Sequence, residues 1–162
     1  MARNPTSVDA IAAHKRGVEA FFKGDYDRAI SELGEAIRLE PADTGAYLSR
    51  SLAWIKKGDA DHAIADADAA IRLEPRNADA HFNRAHAWRM KGDIDRAIAG
   101  YTETIELDPK FSIAYVGRGQ MWDIKKECAK ANADLEAARR ISPTAESRYA
   151  TKRKSNCTGG AK

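Results

Sequence analysis

Lys91-Gly92-Asp93-Ile94-Asp95-Arg96-Ala97-Ile98, running on to Leu107-Asp108-Pro109, decides how this chain folds, because the same words recur. Near-copies stand at Lys23-Gly24-Asp25-Tyr26-Asp27-Arg28-Ala29-Ile30 and at Lys57-Gly58-Asp59-Ala60-Asp61-His62-Ala63-Ile64. Each copy follows the last by 34 residues, and Pro41, Pro75, Pro109 and Pro143 keep the same interval. A fixed period of this size marks an array of small supersecondary units, each of which buries its apolar face only by stacking on the next.

Within a unit the residues spell helix, tight turn, helix, proline. Ile11, Val18, Phe21 and Phe22, with Ala13, Gly17 and Ala20 between them, have helical rather than strand spacing. Residues 1 to 9 read as a leader, with Ser7 or Asp9 as the cap of the first helix. Gly24 suits a left-handed helix stop, and Asp25 offers a cap for the second helix. That helix carries Ala29, Ile30, Leu33, Ala36, Ile37 and Leu39 on one stripe and ends ahead of Pro41. Four units align without a gap: 10–43, 44–77, 78–111 and 112–145.

Small residues recur where two helices must approach closely: Gly17, Ser51, Ala85 and Gly119 at one position, Ala29, Ala63, Ala97 and Ala131 at another. Ala36, Ala70, Thr104 and Ala138 fill a third. Large residues recur where the space must be filled: Trp54, Trp88 and Trp122, and Tyr47, His81 and Tyr115. Alternating large and small is how antiparallel helices interlock.

This pattern resembles the tetratricopeptide repeat family in its Arg-containing, bacterial-looking variety, as in Ala46-Tyr47-Leu48-Ser49-Arg50-Ser51 and Ala80-His81-Phe82-Asn83-Arg84-Ala85. The resemblance covers residues 10–145 and implies an all-α superhelix (solenoid) of helix pairs, with the first helix of each pair lining a concave face. The fourth unit departs from the pattern. Lys125-Lys126-Glu127 replaces Lys-Gly-Asp, and a left-handed Lys126 costs about 1–2 kcal/mol relative to glycine. Arg139 stands where Ile37, Ile71 and Ile105 stood, the polar outer face that an open-ended stack needs. Tyr149 falls one period after Tyr115, so Glu146 to about Lys154 is expected to form a short capping helix ahead of a basic tail.

Composition narrows the function. No apolar run approaches the length of a membrane span, and Met-Ala-Arg-Asn-Pro lacks the apolar segment of a secretory signal, so a cytoplasmic home is the default expectation. The net charge of +3 is uneven: residues 146–162 hold five basic groups against Glu146, leaving 22 basic and 23 acidic groups in the body. Basic character therefore belongs to the tail, and nucleic-acid binding through it is the weaker alternative. Two cysteines make no disulfide framework; Cys128, in the slot of Tyr26, Ala60 and Ile94, reads as a small buried hydrophobe and Cys157 as a bystander.

No catalytic motif is present, and the chain is not expected to be an enzyme or to need a cofactor or metal. His81 occupies a packing slot, whereas His14 and His86 suit polar contacts to a partner. Asp59, Asp61, Asp66 and Asp68 lack the glycine and closing glutamate of a calcium loop. The recurrent tryptophans read as core rather than as a base-stacking platform. Arg16, Arg50, Arg84 and Arg118 recur at one position, facing Glu32, Asp66, Gly100 and Asp134. Three are thus expected to form structural ion pairs. Arg84 either pairs elsewhere or is free to meet a ligand.

What the resemblance implies about the concave face is carried over residue by residue. The first unit offers His14, Lys15, Val18, Phe21 and Phe22; the second Leu48, Ser49, Leu52, Ile55 and Lys56. Phe82, Asn83, His86, Arg89 and Met90 come from the third, and Val116, Gln120, Asp123 and Ile124 from the fourth. This mixture of apolar and basic groups fits capture of a peptide or helix from an unidentified protein partner. The alternative is that the apolar members pack against neighbouring helices. Under the groove reading, changing Phe82 and Arg89 removes capture and leaves melting intact. Family members that grip the C-terminal carboxylate of heat-shock proteins use a Lys, Asn, Asn, Lys, Arg clamp. The matching positions here are His14, Val18, Ser49, Asp79 and Asn83, or one unit later Leu48, Leu52, Asn83, Ile113 and Gly117. Neither register reproduces the clamp. The expected function is a protein-interaction module, with a homo-oligomeric scaffold as the second possibility.

Overall fold

The computed structural model of the chain describes residues 5–143 and Cys157. Eight α-helices follow in order: α1 (Pro5–Phe22), α2 (Tyr26–Leu39), α3 (Thr44–Lys57), α4 (Ala60–Leu73), α5 (Ala78–Met90), α6 (Ile94–Leu107), α7 (Ser112–Ile124) and α8 (Cys128–Ile141). They pair as α1/α2, α3/α4, α5/α6 and α7/α8, and no strand occurs among the described residues. The expected capping helix over 146–154 lies outside the described residues.

Local chemistry sets most of the boundaries. Asp25, Asp43, Asp59, Asn77 and Asp93 each accept a hydrogen bond from the backbone N–H three residues on, satisfying a donor that the first helical turn leaves unpaired. The turn glycines Gly24, Gly58 and Gly92 have φ of 79°, 84° and 78°, and Lys126 takes the same left-handed turn at φ 63°. α1 begins earlier than expected, at Pro5, whose missing N–H costs nothing in a first turn. Ser7 and Asp9 are therefore helical residues rather than caps.

The close approaches fall where the small residues recur. Gly17, Ser51, Ala85 and Gly119 are all buried, and a Cβ on Gly17 would lie 2.5 Å from Leu33 Cγ. Ser51 donates to the Ala63 carbonyl at 2.9 Å. The tryptophans pack against the core clusters as their recurrence implies, but each is only half-buried, with a ring face turned to a cation or an imidazole. Trp54 stacks on His62, the Arg96 guanidinium lies 3.8 Å from the Trp88 ring centre, and Lys130 lies 4.5 Å from that of Trp122.

Neighbouring pairs are tied by a recurrent bridge. Lys57 donates to Asp27, Lys91 to Asp61, and Lys125 to Asp95 at 2.7 Å. Curvature follows from which helices touch. α1 meets α3, α3 meets α5 and α5 meets α7, while among the described residues no two even-numbered helices meet. The odd helices crowd on the inside of the bend, so the concave face is theirs.

The cysteines overturn the sequence reading. Cys128, the first residue of α8, is joined to Cys157 by a disulfide. The Cys157 backbone N–H also donates to Asp123 Oδ1 of α7 at 3.0 Å. Cys128 is thus neither an inert hydrophobe nor Cys157 a bystander.

Candidate functional site

The arginine row divides along the lines of charge. Arg16 Nε donates to Glu32 at 2.7 Å. Arg50 and Arg118 grip Asp66 and Asp134 with two bonds each. Hydrogen bonding to Asp66 and to Asp134 raises the pKa of Arg50 and Arg118 respectively, so both stay charged. Arg84, left open by the sequence, pairs with Asp68 at 3.3 Å and Glu103 at 2.7 Å. Gly100 cannot be its partner, and a Cβ there would meet Ala85 Cβ at 2.8 Å. The row is internal wiring.

Histidines are engaged too. His14 Nδ1 meets Asp43 at 2.8 Å, which turns it from a ligand contact into a link between α1 and the start of α3. His81 bonds Glu103 and the Pro75 carbonyl, the latter a place that Tyr115 fills by donating to the Pro109 carbonyl.

On the concave face the expected residues sort by exposure. Asn83 and Val116 are 3% and 2% exposed, so they form floor rather than contact surface. Asn83 donates to the Leu48 carbonyl at 3.3 Å and ties α5 to α3. Phe82 is also drawn inward, packing on Tyr101 and Phe111 with ring centres 5.7 and 5.0 Å apart. Changing Phe82 therefore removes core, contrary to the expectation that melting would be spared. Leu52 packs on the core cluster of α3 to α5, and Ile124 on that of α5 to α7. Val18, Leu48 and Ser49 are half-buried.

What remains open to solvent is Lys15, Phe22, Lys56 and Met90, with Phe22 81% exposed. Beside Lys56 and Met90 lies a polar cluster that bridges α5 to α7. Arg89 Nη1 donates to Gln120 Oε1 at 3.1 Å, and Nη2 donates to His86 Nε2. Burial, with Arg89 and Lys56 adding to it, holds the His86 pKa down at about 4, so the ring is neutral at pH 7 and its proton sits on Nδ1.

A family model of the tetratricopeptide repeat matches residues 14–73, 55–110 and 90–146, nearly the whole repeat body. The chain is a tetratricopeptide repeat protein. Repeats of this family serve as protein–protein interaction modules. Three solved structures share the fold. MamA matches at 24% identity over 87% of this chain and 82% of its own, with a TM-score of 0.77. A thermophilic tetratricopeptide repeat protein of Thermus thermophilus matches at 22% identity over 87% and 78%, with a TM-score of 0.76. The first such domain of Spaghetti (RPAP3), bound to the HSP90 peptide SRMEEVD, matches at 21% identity over 74% and 98%, with a TM-score of 0.71. No curated protein matches this tetratricopeptide repeat chain. Among its described residues no helix is long and apolar enough to cross a membrane, and no group of three His, Cys, Asp or Glu side chains is placed to hold a metal ion.

Proposed function

We propose that the chain captures a peptide or helical segment of a protein partner on its concave face. The observation that carries this reading is the exposed row of Phe22, Lys56 and Met90 on helices already tied together, α1 to the start of α3 by His14 with Asp43, α3 to α5 by Asn83, and α5 to α7 by Arg89 with Gln120. A face held rigid before binding loses little further conformational freedom when occupied. Large apolar side chains next to exposed lysines suit a partner that is both apolar and acidic. The peptide-bound Spaghetti structure supports the mode, since the same fold holds a peptide there. The ligand differs, because the residues of the carboxylate clamp are not reproduced in this chain.

The test is a capture experiment with the full chain as bait and random peptides as prey. Phe22→Ser and Met90→Ser, both at exposed positions, should weaken capture together while circular dichroism and melting stay unchanged. Retention of binding by both variants would place the interaction elsewhere. One surface favours the second reading, self-association: α1 exposes Val8 and Ile11. Sedimentation at rising concentration decides it, and a monomer throughout excludes it.

A further inference from the structure

Four arginines are half-buried among the described residues: Arg50, Arg84, Arg89 and Arg118. Three have carboxylates in hand. Arg89 alone has neutral acceptors, Gln120 Oε1 and His86 Nε2. A partly desolvated guanidinium held only by neutral groups keeps its full charge uncompensated. Lys56, on the neighbouring inner helix α3, is exposed and adds a second cation with no carboxylate against it among the described residues; its charge reaches His86, as does that of Arg89. Asp123, the acidic residue one period on from Arg89 and on the next inner helix, α7, accepts from the Cys157 N–H.

From this we infer that Arg89, oriented by His86 and Gln120 and flanked by Lys56, is a seat for an aspartate or glutamate side chain of the captured segment, which makes the partner an acidic peptide. The inference rests on the groove reading and adds the ligand's chemistry to it. Arginine carries five N–H donors in a planar fork, and only two of its nitrogens are engaged here. The bonds to His86 and Gln120 hold the fork in place, and its remaining donors match the two oxygens of a carboxylate. His86 must be neutral to accept from Arg89, and its environment keeps it so. Met90, exposed next in sequence, offers an apolar surface to the residue beside the acid. The seat shares no residue with the heat-shock clamp positions.

A phage-displayed library of random dodecapeptides, panned on the full chain, tests the inference. The recovered peptides should share one Asp or Glu at a fixed distance from an apolar residue. Changing that acid to its amide, or Arg89→Gln in the protein, should each weaken binding about tenfold or more. Together they should weaken it no further than either alone. Lys56→Gln, at an exposed position where folding is not at stake, should cost about two- to fivefold. Circular dichroism melting of each variant checks that the fold is retained. Three results overturn the seat while leaving the groove standing: no acidic preference, losses that multiply, or a requirement for phosphoserine in place of the carboxylate. If Phe22→Ser and Met90→Ser leave binding intact, or no peptide is recovered, the groove reading falls and the seat with it.

Discussion

Arg50 and Asp66 meet through two parallel hydrogen bonds, Nε to Oδ2 at 2.8 Å and Nη2 to Oδ1 at 2.7 Å, and so fasten α3 to α4 inside one repeat. Asp66 is the more deeply buried of the two, with its side chain 7% exposed against 23% for Arg50. Removing the arginine strands a buried carboxylate, while removing the aspartate leaves a cation that water still reaches. Arg50→Met should therefore destabilise the fold by about 2–3 kcal/mol, and Asp66→Ala by less. Urea unfolding gives the order directly, and the reverse order would show that the pair is not governed by burial.

Two turn and packing positions should respond in opposite directions. Lys126 holds φ at 63°, where its three counterparts are glycine, so Lys126→Gly should stabilise by about 1 kcal/mol. Gly17 has no room for a methyl group against Leu33, so Gly17→Ala should cost about 1–3 kcal/mol by overpacking. Thermal melts of the two variants should move apart from wild type, the first upward and the second downward.

Protonation of His86 sets an acid limb. Its folded pKa of about 4 lies below the ordinary 6.5, because burial, and then the charges of Arg89 and Lys56, disfavour the cation. The unfolded chain takes up a proton that the folded chain refuses. The contribution is complete above pH 6.5 and is lost as pH falls towards 4, up to about 3 kcal/mol. Asp59 and Asp93, whose pKa values are lowered first by backbone hydrogen bonds from His62 and Arg96, add losses of the same sign below the ordinary carboxylate range. Stability measured from about pH 7 to about 4.5 should decline in wild type and stay nearly flat in His86→Gln; equal slopes would remove His86 from the account.

Reduction of Cys128–Cys157 should loosen the C-terminal end of the array. The two cysteines are 29 residues apart, and a cross-link of that span removes unfolded-state freedom worth about 3–4 kcal/mol in the chain-entropy account. Reducing agent, and Cys157→Ser without it, should lower the melting temperature by the same amount. A melt indifferent to both would mean that the bridge closes nothing the fold depends on.

Repetition explains what was legible in the sequence. The turn glycine and its aspartate cap are stated three times and the close-packing positions four times, so the helix pairs and the pairing of Arg16, Arg50 and Arg118 could be read by aligning units. Arg84 escaped because its partners Asp68 and Glu103 break the register that the other three obey. The disulfide escaped because Cys157 lies beyond the last full unit, where no copy supplies a comparison; an even number of cysteines was the available signal. Asn83, Val116 and Phe82 were placed on the open face because position in the repeat says which way a residue points. How deeply it sits depends on how tightly the inner helices crowd, and that is a property of the whole curve. The tryptophans show the converse, since recurrence marks a packing role without saying that one ring face is left to a cation.

The lysine bridges from Lys57 to Asp27, Lys91 to Asp61 and Lys125 to Asp95 give the array an interchangeable grammar. Each joint uses the same donor and acceptor at the same offset, so the back edge of any of the first three units fits the lysine edge of any later one, whereas the fourth carries Ala129 where the others have the aspartate. Excising residues 44–77 would bring Lys91 to Asp27 and restore the joint with the chemistry it had before. Arg84 would lose Asp68, with Gly34 in its place, and keep Glu103. A molecule wired in this way can gain or lose a whole unit by duplication or deletion without redesign, and the reach of its concave face can change by one repeat at a time.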